Sequence, residues 1–448
     1  MRRAVGKFLR FLPVAAALML AGAILLNVSA VSKTPRPHRA RATVPAVDVK
    51  LYRQGKHVFR FDTFGDQQYW SGQLQLDKAI EGAKNGGVGP GVSPKAALAV
   101  GLKVDSQALP KSVVNAIKKG KVDLNDPKTT LALIKLNAVV GLKGSFNRNG
   151  SMRSMGITCA ICHSTVDNSF APGIGKRLDG WPNQDLNVGA IVSLAPNLKP
   201  LTDQLGVDEA TVKKVLASWG PGKFDAELNI DGKAFRPDGG SAATRIPAAY
   251  GHLGEDLHTW TGGFGDVTYW NAYVANLEMH GQGNFNDSRF NDPVKYPVAT
   301  RNGEFQVRHS PDLVTSKLGA LQYYQLSLRP PKPPAGSFNK AAARRGKALF
   351  DGQAKCASCH MPPLFTDAGH NAHKPAEICI DSFQADRAPD RRYRTAPLAG
   401  LFTHQKGGFF HDGRFATLNE VVKHYDSCFS LGLTEQEKND LIQYLLSL

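Results

Sequence analysis

The chain has 448 residues, of which 42% are hydrophobic and 21% charged, which is enough apolar material for two or three domains with their own cores. The composition excludes a disordered polyelectrolyte, and the 44 glycines and 27 prolines follow no collagen-like period. The net charge is +17, yet the basic residues are scattered and no nucleic-acid-binding motif occurs, so we predict no nucleic-acid partner.

The N-terminus has the pattern of an export signal. Residues 1–10 are basic, and residues 11–32 are uncharged and almost wholly apolar, about as long as a bilayer span of roughly 20 residues. Residues 1–32 are therefore either a signal peptide or a membrane anchor, and residues 33–47 form a basic, proline-rich tether. We expect the rest of the chain in the periplasm, either free or anchored to the inner membrane by residues 11–32.

Four of the six cysteines form two copies of one motif, Cys159-Ala-Ile-Cys162-His163 and Cys356-Ala-Ser-Cys359-His360. C-x-x-C-H is the attachment signal of c-type haem, because two thiols at this spacing reach the two vinyl groups of one porphyrin and the histidine ligates the iron. A zinc ribbon would place the two cysteine pairs close together, and a thioredoxin-type site would need one pair in a βαβ unit. The sequence predicts two covalently bound c-type haems.

The remaining cysteines, Cys379 and Cys428, allow two interpretations. In an oxidising compartment they can form a disulfide, and otherwise they are two free buried thiols. The sequence does not give the distance between them, so both interpretations stay open.

The predicted fold is mainly α, with two class I cytochrome c-like haem domains, long loops and an N-terminal extension. The predicted segments are the extension of unknown role (48–150), the N-terminal haem domain (151–328), a proline-rich linker (329–337) and the C-terminal cytochrome c domain (338–448). Caps and apolar periodicity predict helices over 129–140, 208–219, 266–280 and 340–350, and two more opened by Thr417-Leu-Asn-Glu420 and Thr434-Glu-Gln-Glu437. No clear strand pattern is present.

A weak internal repeat relates the two halves. Arg245-Ile-Pro247 precedes Trp260-Thr-Gly-Gly263, and Arg394-Thr-Ala-Pro397 precedes His411-Asp-Gly-Arg414. In each half an arginine–proline turn comes before a turn built from an aromatic residue and glycine, and a helix follows. The repeat indicates duplicated haem domains that face each other.

The sixth ligand of each iron distinguishes an electron carrier from an enzyme, since plain carriers usually have Met there. Met361 directly follows His360, so it cannot reach the opposite face of that haem, and no later Met exists. The candidates at the C-terminal haem are His370, His373, His404, His411, His424 and Tyr425. At the N-terminal haem they are His252, His258, Met279 and His280, or the position is open.

Two of these positions and one acid stand out. His424 and Tyr425 follow a capping box and are about 100° apart on one helix, so only one of them can face the iron. Glu278 lies in a mainly apolar helical run, where it is either part of a solvated helix face or a distal general acid/base.

The sequence resembles the bacterial di-haem cytochrome c peroxidase superfamily, which includes the methylamine-utilisation di-haem enzyme and, distantly, the rubber oxygenases. The resemblance covers roughly residues 155–448 and is carried by residues 393–398 (YRTAPL), 410–418 (FHDGRFATL), 421–426 (VVKHYD) and 244–279. It implies that Tyr425 ligates the second haem, where the peroxidases have Met, with His424 as the alternative. It also implies that Trp260 lies between the haems and that Glu278 is the catalytic distal acid. The distal Gln of the family is absent, and Trp270 lies near its position.

The sequence therefore favours an exported di-haem redox enzyme of the peroxidase type. Electrons would pass from the C-terminal haem to a reactive N-terminal haem that binds peroxide or dioxygen. The expected donor is a small cytochrome, a cupredoxin or a quinol-linked protein. The alternatives are a pure electron-transfer cytochrome with two six-coordinate haems, and an oxygenase or cofactor-maturing enzyme.

Overall fold

The computed structural model describes residues 48–369 and 371–448. The predicted signal or anchor (1–32), the tether (33–47) and the candidate ligand His370 lie outside the described residues. Within those residues, helices dominate and are joined by long loops, which confirms the mainly α fold. In the same part of the chain, no helix has the length and apolar character needed to cross a membrane.

The helices divide into a set before the proline-rich segment 329–337 and a set after it. The first set is α1 (Val49–Phe61), α2 (Leu76–Glu81), α3 (Pro94–Ala99), α4 (Lys111–Lys118), α5 (Pro127–Lys135), α6 (Ala160–His163), α7 (Val188–Val192), α8 (Lys199–Leu205), α9 (Glu209–Trp219), α10 (Leu228–Asp231), α11 (Val267–Tyr273), α12 (Pro297–Asn302) and α13 (Thr315–Ser327). The second set is α14 (Lys340–Asp351), α15 (Phe383–Arg387), α16 (Leu418–Phe429) and α17 (Glu435–Leu445). Two π-helical turns span Gln68–Gln73 and Val274–Glu278.

The strands are short and pair two by two. Their pairs are β1 (Val104–Asp105) with β5 (Ile174–Gly175), β2 (Leu142–Phe146) with β3 (Met152–Ile157), β4 (Ser164–Val166) with β6 (Arg177–Asp179), β7 (Lys223–Phe224) with β8 (Thr244–Arg245), and β9 (Phe285–Asn286) with β10 (Gln306–Val307). The first pair is parallel and the others are antiparallel. The sequence did not reveal these strands, because most are too short to show an alternating pattern.

Local capping explains where the helices of the C-terminal half begin. The Asn339 side chain accepts hydrogen bonds from two amides at the start of α14. Thr417 and Thr434 form the predicted capping boxes of α16 and α17. These predicted helices are confirmed.

Two of the predicted helices differ from the structure at their C-terminal ends. The helix predicted over 129–140 ends at Lys135 in α5, and Asn137 adopts the left-handed region with φ of 55°. The segment 266–280 begins as α11, changes to the π-helical turn at Val274, and stops before His280, whose φ is 57°. Both helices were predicted to run too far. In each case a residue in the left-handed region, Asn137 or His280, follows the point where the helix ends.

The extension 48–150 packs against the N-terminal haem domain. The rings of Tyr52 and Phe59 on α1 lie 5.3 Å and 5.4 Å from that of Tyr324 on α13. Further along, Trp70 and Ile134 belong to the same buried cluster as residues that follow the first haem motif. The extension therefore supplies part of the wall around that motif.

Arg245 and Arg394 lie at equivalent positions of the internal repeat, and each contacts the other half of the chain. The backbone N–H of Arg245 donates to the carbonyl of His411 at 2.7 Å, and that of Arg394 donates to the carbonyl of Trp260 at 3.0 Å. The guanidinium of Arg245 donates to the carbonyl of Lys406 at 2.6 Å, while that of Arg394 donates to Glu255 at 2.8 Å. The two repeats thus face each other through reciprocal contacts.

A buried ion cluster also joins the two halves. Arg387, on α15, lies 2.8 Å from both Asp225 and Asp231, and at most 1% of any of the three side chains is exposed. Burial raises the pKa of Asp225 to about 7, although Arg387 opposes the shift. The guanidinium therefore stabilises negative charge that would otherwise be costly at this interface.

Replacement of Arg387 by Leu should destabilise the protein by about 3–5 kcal/mol, because it leaves buried carboxyl groups without their cation. The loss should be larger at pH 8 than at pH 5, since Asp225 would hold a proton in the folded state that the unfolded chain releases. Thermal unfolding at the two pH values measures it. The control is Arg345→Leu, which removes a half-exposed pair with Asp440 and should cost no more than about 1 kcal/mol. Equal losses in the two variants would contradict the prediction.

Candidate haem sites

The N-terminal haem motif lies on a single helical turn directly after the β2–β3 hairpin. The N–H of His163 donates to the carbonyl of Cys159 at 3.2 Å, which closes the turn around the two thiols. Nδ1 of His163 is 3.1 Å from the carbonyl of Pro247, so Nε2 is left for a metal ion. Burial lowers the pKa of His163 to about 4, and the imidazole is therefore neutral, as a ligand must be.

A large apolar cavity adjoins this motif. Its volume is about 220 Å³, whereas one water molecule needs only about 10–15 Å³. The cavity is lined by Cys159, Cys162, His163, Trp70, Leu102, Met155, Trp260, Trp270, Glu278 and Met279, among others. Free thiols, a neutral imidazole and apolar walls are the surroundings that a covalently bound haem requires.

The C-terminal motif repeats the arrangement on a 3₁₀ turn, Cys356–Ser358. The N–H of His360 donates to the carbonyl of Cys356 at 2.9 Å, and Nδ1 lies 3.1 Å from the carbonyl of Phe365. Burial lowers the pKa of His360, so this imidazole is also neutral. Cys356 and Cys359 are free thiols. The residues of the second motif therefore fit a haem in the same way as those of the first.

The other two cysteines form a disulfide. Cys379 and Cys428 are bridged, with their Cα atoms 6.0 Å apart. Of the two interpretations left open by the sequence, the structure supports the bridge. Since Cys428 belongs to α16, the bridge fixes the helix that carries His424 and Tyr425 to the loop at Cys379.

Glu278 is at the end of the π-helical turn and lines the cavity beside the first haem motif. Its Oε1 is buried and has no hydrogen-bond partner. Burial raises the pKa of Glu278 well above its usual range, and the neighbouring Glu227 and Asp225 add to the shift. The structure thus places Glu278 inside the cavity and not on a solvated helix face.

Trp260 lies where the two halves meet. It lines the cavity, and its Nε1 donates to the carbonyl of Arg245 at 2.9 Å. Its own carbonyl accepts from the N–H of Arg394 in the C-terminal half. Trp260 is therefore held by residues of both halves of the internal repeat, and its role between the haems stays a prediction.

His424 and Tyr425 differ in their surroundings. Nε2 of His424 is 3.1 Å from the carbonyl of Ile378, so this histidine is engaged by the backbone. The ring of Tyr425 stacks between Phe410 and Phe429, at centroid distances of 5.9 Å and 5.6 Å. Burial raises the pKa of Tyr425, and the thiols of the second haem motif contribute. Tyr425 and these thiols are therefore close enough to influence each other electrostatically.

The other candidate ligands make contacts of their own. His280 stacks on Tyr69 with ring centroids 3.6 Å apart, and His373 is 2.9 Å from Asp367. His411 stacks on Tyr393 at 5.0 Å. Burial lowers the pKa of His404 to about 4.

Several residues of the site were not singled out from the sequence. The internal repeat contained Arg245 and Arg394, but their side-chain partners depend on tertiary structure. Trp70 reaches the cavity from the extension, for which the sequence gave no role. Glu227 lines the same cavity as Glu278 and carried no distinguishing sequence signal.

Parts of the chain match two curated proteins. It is 32% identical over 124 residues to the methylamine utilization protein MauG of Methylorubrum extorquens, a match covering 24% of this chain and 35% of that protein. It is 29% identical over 151 residues to the cytochrome-c peroxidase IdrP1 of Denitromonas iodatirespirans, covering 24% of this chain and 40% of that protein. The chain therefore spans less than half the length of these relatives. No protein-family model matches it.

Two solved structures are also similar over part of the chain. A MauG-like protein associated with microbial copper homeostasis has 18% identity and a TM-score of 0.32, covering 48% of this chain and 76% of that chain. The diheme peroxidase BthA from Burkholderia thailandensis has 18% identity and a TM-score of 0.32, covering 51% of this chain and 78% of that chain. A TM-score this low does not establish a common fold.

The curated relatives confirm the resemblance that the sequence shows. This chain is a relative of the di-haem cytochrome c peroxidase superfamily. Two c-type haems are its cofactors, as predicted. The two C-x-x-C-H motifs, whose cysteines are free thiols, stay their predicted attachment sites.

Replacing Cys159 and Cys162 together by Ser should reduce the covalent haem content from two per chain to one, because the thioether bonds form only at cysteine. Haem absorbance of the denatured protein, divided by protein concentration, measures the ratio. In the matched control, Cys379 and Cys428 are both replaced by Ser, and this variant should keep two haems. Two covalent haems in the first variant would contradict the assignment.

Proposed function

We propose that the chain is an exported, periplasmic di-haem oxidoreductase of the peroxidase type. The N-terminal haem would be the reactive centre, and the C-terminal haem would pass electrons to it from a donor protein. The observation that carries this proposal is the buried carboxyl of Glu278, which faces the cavity of the N-terminal motif with one oxygen unpartnered.

Glu278 is suited to moving a proton between the two oxygens of a peroxide. When bound, the haem supplies a site for peroxide and the electrons that reduce it. The raised pKa of Glu278 favours its protonated form, in which one oxygen can accept a proton while the other donates one. Apolar walls exclude bulk water from this transfer. Glu278 would therefore assist cleavage of the oxygen–oxygen bond, with water as the product.

The C-terminal motif is the better entry point for electrons. Ser358 is exposed, and so are Met361 and the two prolines after it. In contrast, Ala160 and Ile161 within the N-terminal motif are buried, at 0% and 9% exposure. A donor protein can therefore approach the C-terminal haem more closely. A small cytochrome or a cupredoxin is the proposed donor, and a quinol-linked protein is the alternative.

Tyr425 is the proposed sixth ligand of the C-terminal haem. The thiols of the second motif contribute to its raised pKa, whereas His424 is hydrogen-bonded to the backbone of Ile378. Trp260 would carry electrons between the two haems, because it contacts both Arg245 and Arg394 at the junction of the halves.

The Glu278→Gln variant should keep both haems but lose about 10²–10⁴-fold in peroxide turnover, because an amide cannot exchange the proton. Steady-state peroxide reduction with a reduced cytochrome measures the rate. The matched control is Glu304→Gln. Glu304 is also a largely buried carboxyl, with its pKa raised to about 7, but it does not line the cavity, and its removal should leave turnover near that of the wild type.

Normal turnover in Glu278→Gln would show that this residue is not the acid. Two low-spin ferric haems that ignore added small ligands in every redox state would instead indicate a pure electron carrier. Product formed from an organic substrate with dioxygen, without peroxide reduction, would indicate an oxygenase.

The Tyr425→Phe variant should change the electron paramagnetic resonance of one ferric haem and leave the other unchanged, because phenylalanine has no ligand atom. His424→Ala, on the same helix, should leave both signals as in the wild type. The spectra are recorded on oxidised protein at low temperature. A changed signal in His424→Ala and none in Tyr425→Phe would assign the ligand to His424.

A further inference from the structure

A second group of ligand-type side chains lies on the loop between Pro247 and Trp260. His252, Glu255 and His258 each offer one nitrogen or oxygen atom, and these three atoms lie within 4.8 Å of one another. Nδ1 of His252 is 3.6 Å from Oε2 of Glu255, and the two imidazole centroids are 4.6 Å apart. All three residues are buried, with 4–8% of their surface exposed. We call them the His–Glu–His cluster.

The cluster lacks the hydrogen bonds that buried polar groups normally make. His252 Nδ1, Glu255 Oε1 and both ring nitrogens of His258 have no hydrogen-bond partner. Burying such an atom without a partner is unfavourable, and native proteins contain few of them. Four such atoms on three neighbouring residues point to a ligand that contacts one atom of each residue.

We propose that the His–Glu–His cluster binds a divalent transition-metal ion such as zinc. Two imidazoles and one carboxylate are a known ligand set of zinc, with a fourth position left for water. Ligand atoms about 2.0–2.1 Å from a tetrahedral zinc lie roughly 3.4 Å apart. The ligand-type atoms of the cluster lie within 4.8 Å of one another, so the side chains must draw closer together to bind an ion.

Arg394 positions the carboxylate of the cluster. Its Nη1 donates to Oε2 of Glu255 at 2.8 Å and to the carbonyl of Leu257 at 3.1 Å, so Oε1 stays available. Carboxylate ligands of metal ions are usually held by a second partner in this way.

The N-terminal haem is the rival ligand in two ways. Its iron, for which His252 and His258 are candidate sixth ligands, would take one imidazole and leave Oε1 of Glu255 without a partner. A haem propionate is the second rival. His252, His258 and Arg394 line the haem cavity, and Nε of Arg394 also has no partner. A propionate is an anion, however, and the unpartnered Oε1 of Glu255 is an acceptor that an anion cannot satisfy. A propionate would satisfy Nε of Arg394 but not this oxygen, whereas a cation satisfies the oxygen and one nitrogen of each imidazole. The three ligand-type residues of the cluster therefore favour the metal.

The test is calorimetric titration of full-length, haem-loaded protein with Zn²⁺ alone, after dialysis against a chelator. The wild type should bind one zinc per chain. His258→Ala and the conservative Glu255→Gln should abolish this binding while both haems are retained. Arg394→Gln should weaken it about 10–100-fold, as loss of an outer partner does. The control is His57→Ala, which removes an exposed histidine on α1 and should bind zinc as the wild type does.

Three results would overturn the proposal. The first is no stoichiometric zinc in the wild type. The second is unchanged zinc binding in both cluster variants, which would place the ion elsewhere. The third is loss of a haem from Glu255→Gln with zinc binding intact, which would assign the cluster to a propionate. Peroxide turnover is not a readout, so the outcome is independent of the proposed enzyme activity.

Discussion

The arrangement of the two haem motifs depends on the reciprocal contacts that Arg245 and Arg394 make with the opposite half of the chain. Arg245 comes after the first motif in the chain and Arg394 after the second. Each donates its backbone N–H to a carbonyl of the other half, that of His411 and that of Trp260 respectively. Both guanidinium groups are largely withdrawn from solvent, and a buried guanidinium is tolerated only where acceptors surround it. The carbonyls near Lys406 and the carboxylate of Glu255 provide them. The two halves are therefore held in one relative position by groups that neither half could bury alone.

The two haem motifs are alike in how their histidines are held but differ in their surroundings. In both halves a carbonyl fixes Nδ1 of the motif histidine, so the same metal-facing nitrogen is presented. The N-terminal motif then opens into an apolar cavity that contains Glu278, whereas the C-terminal motif lies close to the surface with Tyr425 nearby. In the proposed function, these different surroundings would make the N-terminal site the place of chemistry and the C-terminal site the place of electron entry.

What the sequence could predict follows from how local each signal is. The haem motifs and the caps at Asn339 and Thr417 are formed by residues that are close in sequence, so they can be recognised from the sequence alone. Contacts such as that between Arg394 and Glu255 join residues 139 positions apart, and nothing near either residue indicates the other. The extension shows the same limit, because Trp70 reaches the cavity only through tertiary packing. Glu278 could be singled out as an acid in an apolar run, but its burial required the structure.

The loop from Pro247 to Trp260 links these features in space. At its beginning, the carbonyl of Pro247 holds His163, and at its end Trp260 contacts both arginine turns. The His–Glu–His cluster lies between these two points and is joined to the C-terminal half by Arg394. Because interiors are close-packed, a shift of the cluster must move the loop or the arginine. Occupancy of the cluster would then affect the orientation of His163 and the position of Trp260 together.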